Sequence, residues 1–379
     1  MQIKDSTYIS YGGKPAREAW YEGTLVWQAS SFGWTSKSLA FGPWLEVEYG
    51  SPNTLVVATN NRYTYSTDNG DTWASPIFDI NPTAGTETYN AVAYGNGTWV
   101  LLEALAYAPF GSRYAYTSVD PVTGWTPSTL SVPVTSARYF DVLYSSYHGK
   151  FAAVGSKSET GVSSDMVGMY STDGISWLSA NYLNIDGTPF VDTNGFEAIA
   201  EGTNMPNNRL IACGTAGGHK FGYSDDGITW RRAKYNNNQD DIPNRADLQT
   251  GHAWIDITYG YDGNTNLPVN GRYVAVCSNS STSNYQFAYS DDGINWYGVA
   301  YSSPDLKRNW SSVAYGNGYF VALAFNSNYQ AMSKDGKNWV AYSNMPESIR
   351  YSDITVANNR FVAVTERGTY GAYTADFIF

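Results

Sequence analysis

The chain has 379 residues, 42% hydrophobic and 16% aromatic, which allows two or three average domains or one large β or α/β unit. Its net charge of −11 comes from 23 basic and 34 acidic residues, with no run of Lys or Arg to offset it, so nucleic-acid binding is disfavoured. No apolar stretch approaches the ~18 residues of a membrane helix, MQIKDSTYIS lacks the apolar core of a secretory signal, and Cys213 and Cys277 alone supply neither a disulfide framework nor a metal site.

Residues 1–31 form the first predicted unit. Alternating Tyr8, Ala19, Tyr21, Leu25 and Trp27, with glycine steps at Gly12 and after Glu22, read as two or three short strands joined by turns. The stretch near Phe32 to Leu39, holding Gly33-Trp34-Thr35, resembles only the last part of a longer unit that then repeats.

The repeat begins with a strand that opens on an aromatic residue and carries a β-branched one three places on. The pairs are Trp44/Val47, Tyr89/Val92, Tyr139/Val142, Phe196/Ile199, Trp254/Ile257, Trp310/Val313 and Tyr351/Ile354. A second strand is apolar throughout (LVVA at Leu55, WVLL at Trp99, FAAV at Phe151, LIAC at Leu210, YVAV at Tyr273, FVAL at Phe320, FVAV at Phe361), as a strand buried on both faces must be. A third strand, YTYS at Tyr63 or FAYS at Phe287 for instance, runs into a polar turn closed by Trp.

Those turns are the clearest signal. They use Asp68, Gly70 and Trp73; Asp173, Gly174 and Trp177; Asp226, Gly227 and Trp230; Asp292, Gly293 and Trp296; and Asp335, Gly336 and Trp339. A degenerate copy, TSVDPVTGW, ends at Trp125. Ser and Asp side chains satisfy turn amides, Gly takes the positive φ, and Trp packs back over the turn. Six copies at intervals of 43 to 66 residues, each supplying four strands, predict an all-β fold: a seven-bladed β-propeller of four-stranded antiparallel blades. The seventh repeat stops before its turn, so the segment 32–39 is expected to complete it and close the ring.

The turns resemble the Asp-box, or BNR, repeat of sialidase-like propellers over roughly residues 32–379, a group that includes hydrolases, lectins and assembly factors. Residues 1–31 resemble the small N-terminal segment of bacteriophage tail proteins at Gly13-Lys14, Trp20-Tyr21, Gly23 and Leu25-Val26-Trp27. Together the resemblances imply a propeller, 32–379, attached through 1–31 to other tail structural proteins. They imply a non-enzymatic virion component, made in the host cytoplasm, present in several copies, not inserted in a membrane, and contacting host-surface glycan or another tail part. A lectin outside the virion and a sialidase-like glycoside hydrolase are the alternatives.

Candidate sites follow from that frame. Arg138, Arg308 and Arg350 lie at or before first strands, where three arginines on one mouth would grip a carboxylate; two of them also sit beside aromatic rings. Tyr107, Tyr235, Asn236, Asn237, Asn238 and Tyr285 fall in long polar connections (Glu103 to Arg113, Ser156 to Val167, Lys234 to Gly251, Ser278 to Tyr285) suited to sugar rings. Asp141, Asp256 and Asp353 share one position in three first strands and are the best hydrolase carboxylates. Asp225 and Asp291 stand beside turn aspartates, but no loop shows the dense oxygen-ligand spacing of a cation site. His148, His219 and His252 are read as loop residues. No metal, cofactor or catalytic set is expected.

Overall fold

The computed structural model describes residues 32–377 except 41, 53, 60–61, 79–88, 104–113, 131–136, 160–161, 185–186, 189–194, 216–219, 236–247, 249–251, 264–265, 279–284 and 368–369; before residue 32 it describes only the backbones of Ser10–Tyr11, Lys14–Pro15, Glu18–Tyr21 and Thr24–Gln28. Those four strands pair as two antiparallel hairpins across positions 12–13 and 22–23.

From residue 35 onward the strands form seven sheets, and the first strand of each packs on the first strand of the next, the seventh returning to the first. The molecule is a seven-bladed propeller. Blades 1, 2 and 3 span 46–78, 89–129 and 137–179; blades 4, 5 and 6 centre on 198–232, 254–300 and 310–343; blade 7 spans 351–376. Its fourth strand is Thr35–Lys37, antiparallel to Ala372–Asp376 with Tyr373 opposite Ser36. The two ends of the repeat therefore share one blade, as their complementary gaps required.

The three-residue spacing in the first strands has a local cause. In a regular strand, residues three apart point to opposite faces. Blades 2, 3, 5, 6 and 7 each carry a register shift directly after the aromatic, as between Tyr351 and Asp353 or Trp254 and Asp256. The extra residue of the bulge turns the chain so that Tyr351 and Ile354, or Trp254 and Ile257, are both buried. The ring nitrogen then anchors the incoming connection: Trp44 donates to the Ala40 carbonyl (2.9 Å), Trp254 to Leu248 (3.0 Å) and Trp310 to Leu306 (3.1 Å).

The first strands of blades 1, 2, 5 and 6 close on a glycine, Gly50, Gly95, Gly260 and Gly316, because the next blade needs the space. A Cβ on Gly95 would lie 1.9 Å from Cγ of Tyr144 in blade 3, and one on Gly50 would lie 2.5 Å from Tyr94 in blade 2. Gly95→Ala is expected to destabilise the ring by about 1–3 kcal/mol through overpacking. Urea unfolding of the variant, and partial recovery in Gly95→Ala/Tyr144→Ala, checks this seam.

The polar turns are held by their own side chains. At blade 5 the Gly293 amide donates to Ser290 Oγ (2.8 Å), and the Ile294 and Asn295 amides donate to Asp292 Oδ1 (2.8 and 2.7 Å). Gly70, Gly174, Gly227, Gly293 and Gly336 all have positive φ. Trp177, Trp296 and Trp339 donate to the carbonyls of Gly174, Gly293 and Gly336. Burial acts to raise the turn aspartates, but these hydrogen bonds outweigh it and hold Asp68, Asp173, Asp226, Asp292 and Asp335 below the ordinary carboxyl range.

Three features refine this picture. Blades 4 and 5 have five strands: Asn181–Leu183 and Lys234–Tyr235 add to their outer edges, parallel to Thr229–Arg232 and Asn295–Ala300. Chain leaving blades 3 and 4 thus covers an edge that would otherwise stay unpaired. The segment Ser156 to Val167 is mostly a hairpin rather than a loop, because Lys150–Glu159 and Val162–Ser171 pair well beyond the blade. Finally, Asp225 and Asp291, beside their turns, are bound by arginines. Arg209 binds Asp225 (2.7 and 3.0 Å) and Arg272 binds Asp291 (2.5 and 3.0 Å).

Candidate functional site

The position two residues after the first-strand aromatic brings four acids, those of blades 1, 3, 5 and 7, to the axis of the ring. It holds Glu46, Ala91, Asp141, Ala198, Asp256, Ser312 and Asp353 in blades 1 to 7. The central cavity, of about 340 Å³, is lined by these acids and by Glu48.

The three aspartates make the same connection. Oδ1 accepts the amide of the following residue in its own strand, Val142, Ile257 or Ile354 (all 2.7 Å). Oδ2 accepts an amide of the next blade: Ile199 for Asp141 (2.8 Å), Val313 for Asp256 (2.7 Å) and Val47 for Asp353 (2.8 Å). Ser312 joins two of them, with its hydroxyl 2.6 Å from Asp256 Oδ2 and 3.0 Å from Asp353 Oδ1. One hydroxyl has one proton to give, so a proton on a carboxyl satisfies the second contact.

Five acids in one narrow channel resist ionising together. Burial, then repulsion from Asp353, pushes Asp256 up to about 7 against the pull of its hydrogen bonds. Burial, then Asp141 and Asp353, pushes Glu48 up to about 8. Glu46 and Asp141 are raised well above the carboxyl range, chiefly by burial, and Asp353 is raised by the same cause. The channel is a set of proton-sharing acids whose aspartates tie the blades together.

The arginines are already engaged. Arg308 lies 3.4 Å over the Tyr329 ring and pairs with Asp305 (3.2 Å); Arg350 lies over Phe325 and pairs with Glu366 (2.7 Å); Arg138 lies over Phe140. They sit in blades 3, 6 and 7 without converging on a common point through any described contact. Tyr285 begins a third strand, half-buried against His252, and His252 stacks on Trp254. His148 Nε2 is 3.3 Å from the Asn208 carbonyl. Tyr235 belongs to the added outer strand of blade 5, and Trp20, Tyr21 and Trp27 to the N-terminal hairpin. Tyr107, Asn236, Asn237, Asn238, His219 and Gly23 lie outside the described residues. Among the described residues no group of three or more His, Cys, Asp or Glu side chains is placed to hold a metal ion.

No family model and no curated protein matches the chain. Solved propellers do match it in fold. Virginiamycin B lyase from Staphylococcus aureus aligns with a TM-score of 0.62 at 10% identity, over 91% of this chain and 99% of that one. YCF48 bound to D1 peptide aligns at 0.56 and 12% identity, over 90% and 97%. The propeller domain of Cps50 (Swd1) from Myceliophthora thermophila aligns at 0.52 and 10% identity, over 89% and 97%. The shared property is the ring, which serves an enzyme in one case and carries a bound peptide in another.

Proposed function

We propose that this chain is a non-enzymatic recognition propeller of a bacteriophage tail, held to the virion through residues 1–31 and presenting to host-surface glycan the rim opposite its polar turns. The observation that carries the non-enzymatic part is the engagement of the channel aspartates. Asp141, Asp256 and Asp353 each spend both oxygens on backbone amides, so their geometry serves the ring rather than a scissile bond. Sialidase-type chemistry also needs arginines free to grip a substrate carboxylate, and Arg308 and Arg350 are held in ion pairs. The tail assignment rests on the resemblance of residues 1–31 to the N-terminal segment of bacteriophage tail proteins. Connections from second to third strands and from blade to blade leave the same rim, where variation in length and polarity leaves the ring intact. Many copies in a particle turn weak single contacts into firm attachment.

Immunogold labelling of particles from a lysate of the source is expected to mark the tail, and label at its distal tip places the chain at the host surface. Abundant soluble chain with unlabelled intact particles overturns the reading, and cleavage of a host glycan by the pure protein overturns its non-enzymatic half.

A further inference from the structure

On the turn face, four seams between blades are closed by a cation. Lys150 donates to the Asp226 carbonyl (3.0 Å) and Arg209 to the Asp292 carbonyl (2.6 Å); Arg272 donates to the Asp335 carbonyl; and Arg360 pairs with Asp71 (2.8 Å). Each cation stands immediately before the apolar run of a second strand and reaches the polar turn of the following blade. Between blades 1 and 2 the Tyr63 hydroxyl spans the gap to the Pro121 carbonyl (3.2 Å), and blade 7 has no such turn to reach.

The seam between blades 2 and 3 is the exception. Thr98 holds the place of the cation, although blade 3 has a complete turn. Among the described residues nothing donates to the Asp173 carbonyl, whose counterparts at Asp226, Asp292 and Asp335 all bind a cation. A cleft of about 460 Å³ remains, within the range of small-ligand sites. Thr98, Thr117, Thr126, Trp125, Asp173 and Ile175 line it. The degenerate turn of blade 2 makes the opposite wall, braced by Ser118 Oγ donating to Gly124 (2.6 Å), and Trp125 is held edge-on by Tyr63 with ring centroids 5.5 Å apart.

We propose that this cleft binds a saccharide carrying a protonated amine. The carbonyl and exposed carboxylate of Asp173 take the ammonium, as the same turn position takes Lys or Arg at the neighbouring seams. The threonine hydroxyls, which make no hydrogen bond among the described residues, meet sugar hydroxyls, and Trp125 with the 51% exposed Ile175 offers an apolar surface for the C–H face of a ring. The site lies on the face opposite the rim discussed above and does not depend on the tail assignment.

The test is titration of the full chain with a glucosamine trisaccharide at mildly acidic pH, followed by tryptophan fluorescence and calorimetry. Saturable binding is expected, with the corresponding glucose trisaccharide weaker by about tenfold or more for want of the charge-assisted hydrogen bond. Thr98→Arg installs the missing cation and is expected to abolish binding without lowering the melting temperature. Ile175→Lys, at an exposed position, is expected to weaken binding at least as much as removal of the sugar's charge. No saturable binding of the glucosamine trisaccharide, equal binding of the glucose trisaccharide, or unchanged affinity in either variant overturns the proposal.

Discussion

Deletion of residues 1–39 is expected to convert the closed ring into an aggregating, weakly cooperative chain, and Phe32→Ala alone to destabilise it by about 3–5 kcal/mol. Phe32 is buried, with its ring 5.9 Å from Tyr319 in blade 6 and 5.1 Å from Phe361 in blade 7. Its carbonyl accepts from the Gln330 amide (3.1 Å) and from Asn344 (3.3 Å), while Trp34 donates to Gln330 Oε1 (3.2 Å). Lys37 reaches Asp71 in blade 1 (2.5 Å). One short segment thus holds blades 6, 7 and 1 together. Its loss strips the fully buried Gln330 of two of its partners, each orphaned group costing about 1–3 kcal/mol, and bares a strand edge able to pair with another chain. Deletion of residues 1–28 leaves the segment in place and is expected to keep the urea midpoint. Equal midpoints and monomeric elution for both truncations would sink this account of closure.

The parts of the ring legible in sequence are those whose cause is local. A Ser-x-Asp-x-Gly turn satisfies its own amides within a few residues, so Ser290 and Asp292 announce themselves without reference to the rest of the chain. The apolar second strands are equally plain because both faces are covered. The outer strands Asn181–Leu183 and Lys234–Tyr235 are not legible: they pair in parallel with strands far along the chain, and two or three residues carry no periodicity. The Arg209 and Arg272 clamps are illegible for a related reason. Asp225 and Asp291 are visible beside their turns, but their partners stand a strand away. Of the channel carboxylates, Asp141, Asp256 and Asp353 are legible by their shared position, whereas Glu46 and Glu48 are not, and the aspartates' bonds to the next blade depend on the bulge that the aromatic spacing encodes only indirectly. The cleft at Thr98 is visible only by comparing the same place in every repeat after the fold has shown what a cation does there.

The stability of the ring is expected to fall as pH rises between about pH 5 and about pH 8, with a slope near 1.4 kcal/mol per pH unit for each proton carried by the folded form alone. Burial, reinforced by neighbouring carboxylates, raises Asp256 to about 7 and Glu48 to about 8, and lifts Glu46, Asp141 and Asp353 in the same direction. Unfolded carboxyls titrate near ~4, so above that value the folded chain binds more protons than the unfolded one. The stabilisation is fully present below ~4 and is lost as pH climbs through the folded values. The turn aspartates work with the opposite sign: held low, they contribute above ~4 and lose that contribution only as pH falls through their own folded values. The two sets therefore act in different windows, and stability peaks between them. Glu48→Gln is the sharper probe, since no backbone strap from Glu48 to the next blade complicates the reading among the described hydrogen bonds. It should flatten the urea midpoint against pH by about one proton. Asp256→Asn should flatten it too, but at a cost at every pH, because the amide nitrogen that replaces one oxygen cannot accept, leaving the amide of Ile257 or Val313 without its partner. A midpoint that rises across the interval in the unmodified chain, or a slope unchanged by Glu48→Gln, would mean that the channel acids ionise freely and that water, not repulsion, governs the axis of the ring.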